Sequence, residues 1–236
     1  MPSDRVYKQT KQIMLGKKSM KPEFKPLADW VDSEFGVTTI NIYYNTFTNS
    51  KGKFPRLQLI FRTDKEANSF HVNGQFTNYD SKKQSQITKK FKQTLIEQGL
   101  IKEKKLSNLL NKSGNGKYLT DDIWVITSAF EPIAKTEANG NIPEEKINEL
   151  KKNFNNKDLW EISRGFSITT FFLYTEEQLK KYENSKIHKE WTDKYFELLS
   201  QYDKFRCFQK EHFSILLDSK ENFDKNYESS WFYYYK

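Results

Sequence analysis

Histidine and cysteine, the side chains that most often act as bases, nucleophiles or metal ligands, are scarce in this chain of 236 residues. His71, His188 and His212 show no metal-ligand spacing, and a single cysteine cannot form a Cys-x-x-Cys pair. Cys207 and His212, five positions apart, are the nearest approach to a nucleophile and its base. We interpret them as a buried thiol and a surface imidazole at the start of a strand, because an isolated cysteine behaves as a small apolar residue.

Phosphate and divalent-ion chemistry also lack a complete motif. The segment SGNGKY, residues 113–118, has neither the spaced first glycine nor the following serine or threonine of a phosphate loop. Asp121 and Asp122 could hold a divalent ion, but a nuclease site also needs a Glu-x-Lys on the neighbouring strand. The Glu-x-Lys from Glu144 to Lys146 falls at a helix start, where its charges suit the helix dipole. The sequence therefore assigns no catalytic residue, metal or cofactor.

Lysines form the densest candidate surface. Residues 81–105 contain eight lysines against two glutamates, a net charge of +6. Five of these lysines flank the apolar side that Ile87, Phe91 and Leu95 give to a helix, and so form a basic ridge: Lys82, Lys83, Lys89, Lys90 and Lys92. The ridge could contact a phosphate backbone or an acidic protein, or it could be a solvated helix face. No arginine and few aromatic residues are interleaved with these lysines, which favours the solvated face.

The excess positive charge lies in the first half of the chain. Residues 1–139 carry 23 basic and 14 acidic side chains, net +9, whereas residues 140–236 carry 16 and 17, net −1. Lysine accounts for 34 of the 39 basic residues, and lysine is a hydrated point charge that serves as plain solvation as readily as it binds phosphate. The charge alone therefore does not show whether the lysines bind nucleic acid or are abundant because the gene comes from an AT-rich genome.

Aromatic residues indicate a folded protein. The chain has 19 Phe, 13 Tyr and 5 Trp, bulky residues that disordered segments lack. The opening residues contain no apolar run longer than three, and no later segment reaches 18 apolar residues, so we expect neither a signal peptide nor a membrane span. The single cysteine suits a reducing compartment, and we expect a soluble, cytoplasmic protein with no membrane partner.

The first half, residues 1–139, is predicted to contain both helices and strands. A helix over 26–35 precedes strands over 37–47 and 56–62, which a Gly- and Pro-containing loop joins as a hairpin. Thr63 to Glu66 forms a capping box, and Ser81 to Gln84 forms another that opens the lysine-bearing helix. Further along, 103–111 is predicted as a helix, and 122–130 as a strand buried on both faces.

The second half, residues 140–236, repeats this order after a predicted linker at 131–143. Its elements are a helix over 143–154, strands over 158–162 and 166–174, a helical stripe over 187–205, a strand over 212–218 and a helix over 220–227. Shifting the chain by 112 positions places Thr63 on Thr175, which opens a further capping box. Both halves then have the predicted order α-β-β-α-α-β. This similarity indicates either a diverged internal repeat or only that any strand-to-helix connection favours a threonine cap. We predict an α+β fold with two sandwich-like halves and mostly antiparallel sheets.

The chain ends in SSWFYYYK, residues 229–236. Five consecutive aromatic residues suit a strand that is covered on both faces, since alternate side chains then point to opposite sides. The alternative is an adhesive patch for a partner. We expect the strand, and hence an insoluble or molten chain when this segment is removed.

These observations favour a binding protein over an enzyme. The profile, α+β, aromatic-rich and without a catalytic constellation, is similar in kind to that of immunity or accessory proteins of bacterial toxin and defence systems. Our first interpretation is a non-enzymatic intracellular module that binds another protein, an acidic one if the lysine ridge takes part. The alternatives are a nucleic-acid-associated protein that uses the basic face of 81–105, and an unrecognised enzyme.

Overall fold

The structure, a computed structural model, describes residues 1–49, 52–75, 78–102 and 117–236. The chain divides into two compact units, Ser3–Glu131 and Pro132–Lys236, the second of which also includes Met1–Pro2. We call these the first unit and the second unit. The helix predicted over 103–111 and most of the glycine-rich loop after it lie outside the described residues.

The first unit contains one three-stranded sheet with helices packed on it. Its described elements are helices α1 (Arg5–Met14), α2 (Lys25–Phe35), α3 (Asp64–Asn68) and α4 (Ser81–Glu97) and strands β1 (Thr39–Asn49), β2 (Gly52–Phe61) and β3 (Trp124–Ala129). The strand order is β1-β2-β3. Strands β1 and β2 form an antiparallel hairpin, and β3 runs parallel to β2.

The second unit is built in the same way. Its elements are helices α5 (Glu131–Gly140, whose first residue belongs to the first unit), α6 (Glu144–Phe154), α7 (Glu176–Tyr182), α8 (Lys186–Ser200), α9 (Lys220–Tyr227) and α10 (Trp231–Tyr234) and strands β4 (Leu159–Gly165), β5 (Ile168–Leu173) and β6 (Leu216–Ser219). The order is β4-β5-β6, again an antiparallel hairpin followed by a parallel strand.

The α+β prediction is confirmed, with two mixed three-stranded sheets. The antiparallel hairpin is the longer pairing in each sheet, and the third strand is parallel because helices carry the chain back before that strand begins. Thr63 and Thr175 both form the capping boxes expected of them. The two units thus share strand order and direction, while a duplication of one ancestral unit stays a hypothesis.

In the first unit, α2 and α4 pack on one face of the sheet. Leu27 of α2 and Phe91 of α4 are fully buried against Leu57 and Leu59 of β2. Full burial of such side chains contributes about 1.5–3 kcal/mol each. The opposite face is covered at one end by α1, where the Asn41 amide donates a hydrogen bond to Thr10 Oγ1 at 3.1 Å.

In the second unit, α6 and α8 cover one face of the sheet. Phe171 of β5 contacts Trp191 and Tyr195 of α8, with ring centroids 5.6 and 5.9 Å apart. The Tyr195 hydroxyl donates to Asn139 Oδ1 at 2.6 Å, and burial raises the pKa of Tyr195 to about 12. This buried aromatic core agrees with the composition.

Two predicted elements are wrong, and a third differs in its burial. The segment predicted as a linker at 131–143 is mostly helix α5, whose Ala134 and Ala138 are buried. The terminal aromatic segment is no strand: Trp231–Tyr234 is a short helix, because a run of aromatic residues satisfies a helical face as well as a strand. Strand β3 lies at a sheet edge and is open on one face, with Trp124 47% exposed.

In the described parts of the chain, no helix has the length and apolar character needed to cross a membrane.

Candidate functional site: the lysine face of helix α4

Helix α4 begins at an aspartate cap and is held to the sheet by its apolar side. Asp80, one residue before the predicted Ser81 cap, accepts hydrogen bonds at Oδ1 from the backbone N–H groups of Lys82 and Lys83 at 2.9 and 3.1 Å. Ile87, Phe91 and Leu95 are buried, as the sequence pattern predicts. The helix is therefore fixed in rotation, and its remaining sides face outward.

None of the five predicted lysines is buried. Lys82 and Lys89 are exposed on the side of α4 that lies opposite the apolar face. Lys83 and Lys90 are partly exposed on one flank of the helix, and Lys92 is partly exposed on the other. The five lysines are thus spread around the outer half of the helix surface, with exposed residues such as Ser85 and Gln93 among them, rather than along one narrow ridge.

Two of the five lysines have partners. The Lys83 ammonium donates to the Ser69 carbonyl and lies over the rings of Phe35 and Phe70, at 5.9 and 5.3 Å from their centroids. Lys92 Nζ lies 3.9 Å from Asp121 Oδ1. Lys83 therefore has a structural role, and Lys92 is partly neutralised.

The other three lysines, Lys82, Lys89 and Lys90, form no ion pair with any residue that the structure describes. Glu97, at the far end, is the one acidic residue of α4. We call these three side chains the lysine face. Its charge is uncompensated within the helix, so its positive field extends into solvent.

Helix α8 occupies the same topological position in the second unit and arranges its lysines differently. Lys189 Nζ donates to Asp193 Oδ2 at 2.8 Å, and Lys194 Nζ donates to Glu197 Oε2 at 3.3 Å. The hydrogen bond from Lys189 lowers the pKa of Asp193. On helix α8 these lysines are therefore neutralised by acidic residues of the same helix. On α4, Lys82, Lys89 and Lys90 are not paired in this way among the described residues.

The remaining chemical candidates of the sequence do not come together. His71 is buried, its Nδ1 donating to the Gln75 carbonyl. His188 Nε2 donates to the Ile215 carbonyl. Cys207 is buried and His212 is exposed, which confirms their interpretation, although His212 lies in a 3-10 turn rather than at a strand start.

The acidic candidates are equally dispersed. Asp121 and Asp122 are exposed before β3. Glu144 accepts from Arg164 at 2.7 Å, and Lys146 donates to Glu149 at 2.8 Å, so this motif forms charge pairs at a helix start as predicted. Across 1–49, 52–75, 78–102 and 117–236, no three His, Cys, Asp or Glu side chains converge as metal ligands would.

Sequence reasoning missed the open face of the first sheet, on the side away from α2 and α4. Phe47 of β1 and Phe54 of β2 are cross-strand partners with stacked rings 5.8 Å apart, and Phe47 also contacts Trp124 of β3 at 6.1 Å. In the next row, Arg56 of β2 lies between Asn45 and Trp124. The period-2 pattern of β1 and β2 contains this signal, but only the register of β3 joins Trp124 to it.

The chain matches no protein-family model, and it shows no significant similarity to a curated protein or to a solved structure.

Proposed function

We propose that the protein is a non-enzymatic, intracellular module that binds an acidic protein through the lysine face of α4. The observation that supports this proposal is the contrast between two topologically equivalent helices. Helix α8 pairs Lys189 and Lys194 with acidic residues on the same helix, whereas Lys82, Lys89 and Lys90 of α4 have no such partner among the described residues. A partner that supplies carboxylates would neutralise the lysines of α4, as acidic residues of α8 neutralise Lys189 and Lys194.

The spacing of the lysines suits a regular acidic segment. Lys82 and Lys89 are seven residues apart, which places them two turns apart, about 10.5 Å along the helix axis. An acidic helix with carboxylates every three or four residues presents charges at the same intervals. Such charge complementarity speeds association and selects the partner more than it raises affinity.

The composition of the face favours a protein over a phosphate backbone. Helix α4 carries no arginine, and its single aromatic residue, Phe91, is buried. Arginine guanidinium groups and stacking aromatic rings are the side chains that bind nucleic acid most specifically, and the lysine face contains neither. The partner class that we propose is a protein of a bacterial toxin or defence system, with this chain as its immunity or accessory protein.

The test compares two triple variants of equal charge change. Lys82→Gln/Lys89→Gln/Lys90→Gln removes the lysine face, and Lys186→Gln/Lys189→Gln/Lys194→Gln makes the matched change on α8. The probe is a fluorescein-labelled helical peptide of about 20 residues with Glu at every third or fourth position, followed by anisotropy at two salt concentrations. We expect the α4 variant to bind about tenfold more weakly and the α8 variant to bind within about twofold of wild type.

Equal losses in both variants would show that only net charge matters and would contradict the proposal. A duplex DNA probe separates the alternative partner. If duplex binds more tightly than the peptide, with a log–log salt slope of about three for three phosphate contacts, the face serves nucleic acid instead.

A further inference from the structure

The open face of the first sheet combines exposed rings with the guanidinium of Arg56. Trp124, at the edge strand, is 47% exposed, and the rings of Phe47 and Phe54 beside it are partly exposed. Helix α1 lies at the other end of this face, where Asn41 donates a hydrogen bond to Thr10. Trp124 contacts Phe47 and still leaves about half of its surface in water, which is an unusually large exposed apolar area for one side chain.

Arg56 is held in position within this face. Its Nε donates to Asn45 Oδ1 at 3.0 Å on the neighbouring strand, which fixes the plane of the guanidinium. The two terminal nitrogens make no hydrogen bond to any residue in the described segments. Gln58, one row further along β2, donates to Ser128 Oγ at 3.0 Å and adds amide and hydroxyl groups to the same surface. The face therefore offers flat rings together with donors that point outward.

The equivalent face of the second sheet also carries aromatic rings, and these rings are covered by another aromatic side chain. There Trp160 of β4 and Phe172 of β5 are covered by the chain itself. The Trp231 ring of α10 stacks on Trp160, with centroids 6.0 Å apart and planes 10° from parallel, and meets Phe172 edge-on at 5.2 Å. In the second unit an aromatic ring of the same chain therefore packs on the rings of this face.

In the first unit the residue equivalent to Phe172 is Ile60, the penultimate residue of β2, and it is buried. The rings of Phe47, Phe54 and Trp124 lie further along the sheet, where Trp124 is 47% exposed.

We propose that the open face of the first sheet binds a single-stranded nucleic acid. Bases stack on exposed aromatic rings whatever their sequence, and an arginine fork binds phosphate or a base edge. The first unit supplies the complementary charge, since Ser3–Glu131 carries 22 basic and 13 acidic side chains. Asp121 and Asp122 precede β3, three and two residues before Trp124, and Asp121 lies beside Lys92 of α4.

This surface is independent of the lysine face. Helix α4 packs on the opposite side of the sheet, where Phe91 contacts the core with Leu57 and Val125, whereas Arg56 and Trp124 point the other way. The two proposals can therefore fail separately.

The test uses the full chain and fluorescein-labelled 12-nucleotide probes of one mixed sequence, as single-stranded DNA, single-stranded RNA and a DNA duplex. Fluorescence anisotropy near 0.15 M salt gives each Kd. We expect both single strands to bind more tightly than the duplex, whose bases are hidden. The DNA and RNA arms show which sugar the face prefers.

Variants locate the site. Trp124→Ala should weaken single-strand binding about 5- to 150-fold, the range for loss of one stacked base. Trp124→Tyr keeps a ring and should stay within about fourfold of wild type. Phe232→Ala, which removes a ring that is 70% exposed in the second unit, should have no effect. Melting curves and circular dichroism confirm that each variant is folded.

Several results would overturn the proposal. These are a wild-type chain that binds no single strand below about 100 µM, a duplex that binds as tightly as the single strand, and a Trp124→Ala variant that is folded and binds normally. Loss of binding in the Lys82→Gln/Lys89→Gln/Lys90→Gln variant alone would place the nucleic acid on α4 and would also contradict it.

Discussion

The ring of Tyr235 lies directly against the backbone of Gly165 in strand β4. A Cβ atom at position 165 would lie 2.1 Å from Tyr235 Cε1, which is far inside van der Waals contact. The Tyr235 hydroxyl shares a hydrogen bond of 2.6 Å with Ser163 Oγ on the same strand. This close approach fixes the end of the chain on the second sheet and explains why position 165 has no side chain.

Gly165→Ala should displace this ring and break its hydrogen bond. We expect a loss of about 1–2 kcal/mol in the free energy of unfolding, measured by urea titration. In a Tyr235→Ala background the same change should cost nothing, because φ at Gly165 is not in the left-handed region and alanine fits once the ring is gone. Additive losses in the double variant would mean that the two residues do not act on each other.

Deletion of residues 229–236 should leave a folded but weakened protein. No strand pairing is lost with α10, and the core around Phe171 and Trp191 does not depend on it. The loss comes from uncovering Phe172, which is fully buried, and Trp160, which is partly buried. Partial exposure of these two rings costs about 3 kcal/mol. Circular dichroism and urea titration of the truncated chain measure it.

Phe232→Ala is the control for the deletion, because Phe232 is 70% exposed and should change stability by less than about 0.5 kcal/mol. A truncated chain that is molten would contradict this prediction and would show that the aromatic segment is essential for folding.

Glu23 should make stability sensitive to acid. The Tyr118 hydroxyl donates to Glu23 Oε1 at 2.6 Å and, with Lys117 at 3.0 Å, lowers the pKa of Glu23 from 4.5 to about 2. Because the folded pKa is below the unfolded one, this stabilisation is present above about pH 4.5 and is lost as the pH falls towards 2.

Tyr118→Phe removes the largest cause of that shift. We expect it to lose about 2 kcal/mol at pH 7 and to show a shallower decline than wild type between pH 4.5 and pH 2. Urea titrations at pH 7, 4 and 3 give the comparison. Parallel declines in the two proteins would show that other carboxylates cause the acid sensitivity.

Lys82→Gln/Lys89→Gln/Lys90→Gln should leave the melting temperature unchanged or raise it slightly. The three side chains pair with no acidic group in the described part of the chain, so their removal relieves repulsion and loses no partner. Lys83 differs, since it donates to the Ser69 carbonyl, and Lys83→Gln should lower the melting temperature. A fall of many degrees in the triple variant would show that these lysines have a structural partner.

The elements that could be predicted from the sequence are those whose capping residues and hydrophobic periodicity match the way they pack in the structure. Thr63 and Thr175 cap helices as expected because a capping box needs only four neighbouring residues. Helix α4 was predictable because Ile87, Phe91 and Leu95 recur at the helical period and leave the lysines outside.

Features that depend on distant contacts could not be predicted. In 231–235 every residue is aromatic, so neither the helical nor the strand period is visible, and packing against Trp160 decides for a helix. The parallel register that sets Arg56 beside Trp124 joins residues far apart in the chain. The exposure of Trp124 follows from that register and from the edge position of β3, neither of which its own sequence neighbours indicate.

The most direct measurement of the central claim is a residue-resolved NMR titration of the chain, labelled with nitrogen-15, with the acidic helical peptide. The account predicts saturable amide shifts concentrated between Lys82 and Lys92, and their loss in the Lys82→Gln/Lys89→Gln/Lys90→Gln variant. Shifts that are spread equally over α8, or that do not saturate, would contradict it.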